Sequence, residues 1–432
     1  MDGIVSNPFA CPQITGYFLE SASALRSDPP PPPPPDYQIP GMADHVGGRR
    51  CGAMKPRKQE QEDARTEVTE VFPNVLRMEL PISMPGLGHV NCYALLDDEG
   101  AAVIDPGLPG PDTQKALQHR LAQAGLSESD VHTVVITHSH PDHFGCARWL
   151  AEAGGARIIA YQSFGWGIGA APAQNHEHEH GHEVSVEDLQ THRDALDADA
   201  QAERIDAGGD PQIISMKKRW QQHKERPSPW GGSPLGPPKT DGKESEIAKL
   251  MMSGDIFPDV THPVGDGDIV KLGGRDWFIR HTPGHTADHI CLHSPELELY
   301  LAGDHVLPTI TPHIAGTGPS DNPLEVFMSS LDKAGATESV QRVLPAHGGP
   351  FGDLAKRTDD IKRHHHERLE RVKEIGKEIG PASVVDFSKQ LFKERSWGMM
   401  AESETYAHLE YLRHSRDAEK YSENDQLIYV IR

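Results

Sequence analysis

From residue 68 onward, apolar residues recur in short runs bounded by Gly, Pro or acidic turns, as in "VFPNVLRMEL", "HVNCYALLDD" and "AAVIDPG". Runs of this length predict strands. The spacing turns helical in "PDTQKALQHRLAQAGL", and then come the strand "HTVVIT", a helix over 143–153 and the strand "ARIIAY". Strands alternating with helices predict an α/β layered domain. The rhythm breaks over 165–245, where "SVEDLQTHRDALDADAQAERI" and "PQIISMKKRWQQHKER" are amphipathic and "PSPWGGSPLGPPK" is dense in breakers, so this stretch reads as inserted between two halves of one core. Strand signals return in "DIVKLGGRDWFIRHTPG", "HICLHS" and "LELYLAGD", followed by a helix near 322–335 and the run "RVLPAHGG". Residues 353–432 are expected to form a mainly helical, winged-helix-like tail. Its helices are carried by "DIKRHHHERLERVKEIGKEIG", "SVVDFSKQLF" and "SETYAHLEYLRHSRDAEKY", and it closes on the strand "QLIYVIR".

Composition changes this picture at one end of the chain. Residues 1–65 contain "DPPPPPPPDYQIPG" and "MKPRKQEQEDAR", which cannot bury enough surface to offset their ordering entropy, and are expected to be a disordered leader or to precede a true start at Met42 or Met54. The domain proper is then 66–352. A formal charge of -22 disfavours nucleic acid and anionic membranes as partners. The tail, with 15 Lys+Arg and 16 Asp+Glu over 353–432, carries no basic excess either. Such a tail serves as well for a homodimer contact or a lid. Five scattered cysteines without a CxxC pair, and no apolar run approaching the ~18 residues of a membrane span, point to the reducing cytoplasm.

The chemistry is concentrated in "VVITHSHPDHFGCARWL", where a strand runs into His138, His140, Asp142 and His143. Imidazole and carboxylate at this density suit zinc, manganese or iron, and the absence of a thiolate among the four groups points to an open, water-holding site. Four groups cannot complete two metal shells. Three candidates for the remainder follow apolar runs and are flanked by Gly or Pro: His285 in "HTPGHTADH", Asp304 in "LYLAGDHVLP" and His347 in "VLPAHGG".

Through HSHPDHFG and these downstream stations the sequence resembles the metallo-β-lactamase superfamily, in its glyoxalase II-like hydrolase branch, over 68–350 less the insertion. The resemblance implies an αβ/βα sandwich of two mixed sheets flanked by helices. It implies two divalent metal ions, zinc first and manganese or iron as alternatives. His138, His140 and His285 would hold one metal, Asp142, His143 and His347 the other, and Asp304 would bridge them. An Asp at the bridging station, where true β-lactamases of the superfamily carry Cys or Ser, points away from antibiotic hydrolysis.

The activity so implied is cleavage of a thioester or ester, including a lactone, of a small metabolite or acyl carrier by a metal-bridging hydroxide, with Asp142 orienting the nucleophile and Asp304 holding the metal spacing. His289 is expected as a supporting group or proton donor, or else as a packing or capping residue. His305 and His313 are expected to line the pocket. Two other activities share these stations: an endoribonuclease or other phosphodiesterase, and an iron-dependent sulfur dioxygenase. "NHEHEHGHE" and the His364 to His366 run are read as surface, and Lys217, Lys218, Arg219, Lys224 and Arg226 around Trp220 as a solvated helix face or a grip for an anionic substrate tail.

Overall fold

Alternation at period two decides the layers. In β4 (Gly100–Ile104), Ala101 and Val103 belong to one apolar cluster and Ala102 and Ile104 to another, and all four are buried, so the strand is covered on both faces. The computed structural model describes residues 58–84, 86–165, 228–232, 256–318 and 320–432. The "NHEHEHGHE" stretch and the basic face around Trp220 lie outside the described residues, as does the leader up to residue 57.

Strands β1 (Thr69–Phe72), β2 (Val75–Met84), β3 (Leu87–Asp97), β4, β5 (Val131–Val135), β6 (Arg157–Tyr161) and β7 (His262–Val264) form a seven-stranded sheet in chain order. It is antiparallel from β1 to β4 and parallel from β4 to β7. A second, five-stranded sheet runs β12-β11-β10-β9-β8, from β8 (Ile269–Leu272), β9 (Arg275–His281), β10 (Ile290–Ser294), β11 (Leu299–Gly303) and β12 (Arg342–Pro345). Only its β11–β12 pair is parallel.

Three apolar layers stack in this order. Helices α1 (Pro111–Gln123) and α3 (Ala147–Gly154) set Leu117, Leu121 and Leu150 against Met78, Val103 and Val134 on the outside of the first sheet. Between the sheets, Tyr93, Ile104 and Val135 meet Trp277, Ile279, Leu292 and Leu301. Outside the second sheet, Tyr300, Ala302 and Val343 pack against α4 (Pro323–Gly335) and the tail helices α5 (Leu354–Ile379), α6 (Val384–Leu391) and α7 (Met399–His414). The result is the expected αβ/βα sandwich of mixed sheets, with the tail helices sharing the outer core of its second half.

Several expectations are corrected in detail. "VFPNVLRMEL" is two strands, because Pro73 and Asn74, the latter at φ 63°, make a tight turn in which Phe72 pairs with Val75. The helix expected over 143–153 is broken into α2 (Pro141–Phe144) and α3 at Cys146, whose φ of -98° and ψ of 4° leave the helical region; Gly145 beside it backs onto the chain at Pro109, where a Cβ would lie 2.1 Å from Pro109 N. In the tail, "AEKYSE" is strand rather than helix: β14 (Ala418–Glu423) pairs with β15 (Gln426–Ile431), which also pairs with β13 (Ala382–Ser383). His365 is not on the surface. The α5 period places it on the stripe Ile361, His365, Leu369, Val372, facing the core and 3.2 Å from His408.

The leader boundary also moves. Residues 58–65 pack on the domain through a 3₁₀ turn, Gln59–Gln61, in which Glu60 is buried and accepts the amides of Thr309 (2.7 Å) and Ile310 (3.1 Å). In the inserted region, Trp230 is buried against the tail and donates its indole N–H to Glu402 at 2.9 Å. Cys92, Cys146 and Cys291 are free, buried thiols. No helix among the described residues is long and apolar enough to cross a membrane.

Candidate metal centre

Parallel pairing delivers strand ends to one edge. β4 and β5, parallel to each other, lead directly into Asp105 and, two residues on, Thr137, and the parallel pair β11 and β12 leads likewise into Asp304 and His347. Crevices outside the carboxyl ends of such strands are where α/β proteins gather functional groups. The β9–β10 connection adds His285. The fold thereby brings together seven groups spread from residue 138 to residue 347. His138, His140, His285 and Asp304 offer ligand atoms within 4.8 Å of one another, and so do Asp142, His143 and His347.

Within the first group, His138 Nε2 and His285 Nε2 each lie 3.0 Å from His140 Nδ1. In the second, Asp142 Oδ2 is 3.6 Å from both His143 Nε2 and His347 Nε2. Asp304 reaches both groups: its Oδ2 is 3.5 Å from His285 Nε2 and 3.7 Å from His143 Nε2, and its Oδ1 is 3.2 Å from His347 Nε2.

The far side of each ring fixes which nitrogen faces inward. His143 Nδ1 donates to Asp105 Oδ2 at 2.9 Å, His347 Nδ1 to the His89 carbonyl at 2.6 Å and His285 Nδ1 to the His313 carbonyl at 2.8 Å. Thr137 Oγ1 donates to Asp105 at 2.7 Å and so accepts from His138 Nδ1 at 3.0 Å. Each of these four rings thus turns an Nε2 lone pair toward the centre, the arrangement that orients metal ligands.

Sequence reasoning missed Asp105. The signal was the acid at the end of "AAVIDPG", and the structure adds a left-handed φ of 54° at that residue. Asn91 on β3 was missed too. It donates to the carbonyls of Pro345 (2.8 Å) and Gly348 (2.7 Å), and so ties the His347 loop to the first sheet. His289 is fully buried behind Asp304: Nε2 accepts the Asp304 amide at 3.0 Å, and Nδ1 faces Thr282 Oγ1 at 2.9 Å. His305 is likewise in the core, edge-on to Phe327, while His313 keeps partial exposure.

The electrostatics suit a cation. Burial, reinforced by neighbouring imidazoles, holds His138 and His140 well below the ordinary histidine range. At His143 and His347 burial works in the same direction, but the carboxylates outweigh it and raise both: Asp142, Asp105 and Asp304 around His143, Asp304 and Asp142 around His347. Burial pushes Asp304 up, yet His347 and His143 hold it well below the usual carboxylate range. His143 Nε2, His347 Nε2 and Asp304 Oδ1 are buried without a hydrogen-bond partner. Leaving a buried polar atom unpaired costs about 1–3 kcal/mol. Three such atoms converging with further lone pairs fit divalent metal ions, with Asp304 placed to serve two.

The metallo-beta-lactamase superfamily model matches residues 85–191 and 213–347. The chain belongs to the metallo-β-lactamase superfamily. Among similar proteins, "Probable metallo-hydrolase YqjP" of Bacillus subtilis is 22% identical over 373 residues, covering 82% of this chain and 97% of its own length. The "Beta-lactamase-like protein 2 homolog" of Caenorhabditis elegans is 27% identical over 159 residues, 37% of this chain, and the match spans only about half of that relative, 51%. A "Hydroxyacylglutathione hydrolase" of Hydrogenovibrio crunogenus is 33% identical over 110 residues, 25% of this chain and 38% of its own length. The crystal structure of a metallo-beta-lactamase family protein from Thermus thermophilus superposes with a TM-score of 0.59 at 25% identity, covering 84% of this chain and 100% of that one. The superfamily match, together with a relative of this name aligned over 82% of the chain, supports a metallo-hydrolase.

Proposed function

We propose that this metallo-hydrolase holds two zinc ions and cleaves a thioester or ester, including a lactone, of a small metabolite or acyl carrier. The observation that carries the reading is the position of Asp304, within 3.7 Å of imidazole nitrogens from both ligand groups. His138, His140 and His285 would hold one ion and Asp142, His143 and His347 the other. Metals so held supply activated water at neutral pH and polarise the scissile carbonyl. Asp142, nearly buried at the start of α2, contributes a carboxylate that orients the attacking water and takes up its proton. His140 is the most exposed of the imidazole ligands and marks the side from which substrate enters. The short match to a hydroxyacylglutathione hydrolase supports the thioester side of the proposal. The charge of -22 argues against a phosphodiester polyanion as substrate.

Metal content per chain, measured by mass spectrometry, together with a panel of acyl thioesters, lactones and aryl esters tests this. Two zinc equivalents and a turnover abolished by Asp142→Ala are expected. A panel left untouched by metal-loaded and metal-free protein alike would sink the proposal. One iron with persulfide-dependent oxygen uptake would point to a sulfur dioxygenase instead, and RNA cleavage to a nuclease.

A further inference from the structure

We infer that Glu404, on tail helix α7, is a positioning residue for the metal ligand His285, acting through His313. The inference rests on the metal centre proposed above. His285 Nδ1 donates to the His313 carbonyl at 2.8 Å, so the placing of that one peptide fixes which way the ligand ring turns. His313 belongs to the loop that leaves Asp304 and runs to α4. Its Nδ1 lies 3.5 Å from Glu404 Oε2, and Arg368 of α5 donates to the other oxygen of the same carboxylate.

The backbone just beyond is fastened to α7 as well. The Gly316 amide donates to Ser403 Oγ at 2.9 Å, and a Cβ on Gly316 would lie 2.6 Å from Tyr406 Cδ1 and 2.7 Å from the Ser403 carbonyl. Burial pushes the Glu404 carboxyl up, but the His313 contact and the Arg368 charge hold it down to about 2, so it is an anion over the working range.

The remainder of the loop is pinned from elsewhere. Arg357 donates to the carbonyls of Leu307 (2.6 Å) and Ile310 (2.7 Å), and Glu60 accepts the amides of Thr309 and Ile310. Among these anchors, Glu404 is the one that falls on the residue whose carbonyl a metal ligand uses. The tail is therefore wired to the centre through a named peptide, although none of its side chains is a ligand.

The control is on the same helix. Glu410 is also buried and binds Arg413 (2.7 Å), Lys420 (2.8 Å) and Tyr429, all within the tail. Glu404→Gln and Glu410→Gln would be compared in the full chain for thermal stability, metal affinity by chelator competition, and the visible absorption of the cobalt-loaded protein. Removing a group that hydrogen-bonds a ligand directly weakens metal binding about 10–100-fold, and one link further out we expect roughly 3–10-fold at the His138, His140 and His285 group.

Glu404→Gln should lose that affinity and change the cobalt spectrum, whereas Glu410→Gln should lower the melting temperature and move neither. Equal affinity and an unchanged spectrum in Glu404→Gln, or an equal loss in Glu410→Gln, overturns the inference. If Glu404→Gln fails to fold, His313→Gln keeps the carbonyl and removes the imidazole. The same 3–10-fold loss there supports the link, and parental affinity overturns it. A parent chain that binds no divalent metal overturns the metal centre and this inference together, which distinguishes that failure from a parent that binds and a variant that binds equally.

Discussion

Asp105→Asn isolates the contribution of the carboxylate behind the second ligand group. Asp105 is buried and takes three hydrogen bonds: its Oδ1 accepts the Thr137 amide at 2.8 Å, and its Oδ2 accepts Thr137 Oγ1 at 2.7 Å and His143 Nδ1 at 2.9 Å. Asparagine keeps the shape and tolerates the φ of 54°, so the backbone is not put under strain. Its amide must nonetheless replace one oxygen. Set against the Thr137 amide, NH₂ would face a buried N–H that cannot turn away. It therefore takes the Oδ2 position, where the Thr137 hydroxyl can rotate and His143 must move its proton to Nε2, the atom that faces the metal.

Losing an oriented carboxylate partner of this kind weakens metal binding about 10–100-fold, or roughly 1.4–2.7 kcal/mol. That agrees with about 1.5–3 kcal/mol for one hydrogen bond to a charged group. Chelator competition on the folded variant should show the loss at the Asp142, His143 and His347 group, with a smaller one at His138 through Thr137. Two dissociation constants within threefold of the parent, in a variant with the parent's circular dichroism, would refute the argument.

Three further outcomes follow from the geometry. Gly303→Ala places a Cβ 2.6 Å from His289 Nε2 at a φ of 51°, and should destabilise the fold by about 2–5 kcal/mol and displace Asp304, read as a lower melting temperature and fewer than two metals per chain. Glu60→Ala removes the acceptor for Thr309 and Ile310, and because water can reach those two backbone amides once the carboxylate is gone the expected cost is about 2 kcal/mol, seen in urea unfolding; an unchanged midpoint would show the N-terminal turn to be dispensable. Stripping the metals should abolish turnover and lower the melting temperature, and restoring zinc at about 100 times its dissociation constant should return roughly 2.7 kcal/mol for each site filled; a melting curve indifferent to metal would contradict a ligand set built into the fold.

How much of this was legible in the chain follows from what each signal depends on. The ligands cluster at strand ends next to Gly and Pro, and a strand followed by such a breaker is a local pattern, so His138, His140, Asp142, His143, His285, Asp304 and His347 could all be picked out from sequence. Asp105 carries the same local pattern, but its function lies in contacts with Thr137 and His143, more than thirty residues away in the chain, and nothing near it in sequence says so. His365 was misread because a histidine run looks polar, while the helix period and a core formed by several distant elements bury one of the three rings.

By itself the sequence determined the layered α/β class and singled out the groups that are candidates for metal binding, because strand and helix periods and ligand chemistry are local properties of the chain. Only the tertiary structure decided that Asp304 reaches both groups, that a carboxylate or carbonyl behind each of several rings sets its tautomer, and that the tail and the N-terminal turn hold the loop beside the centre. Those are distances between segments brought together by parallel strand pairing and by burial on both sides of the two sheets, and no local pattern encodes them.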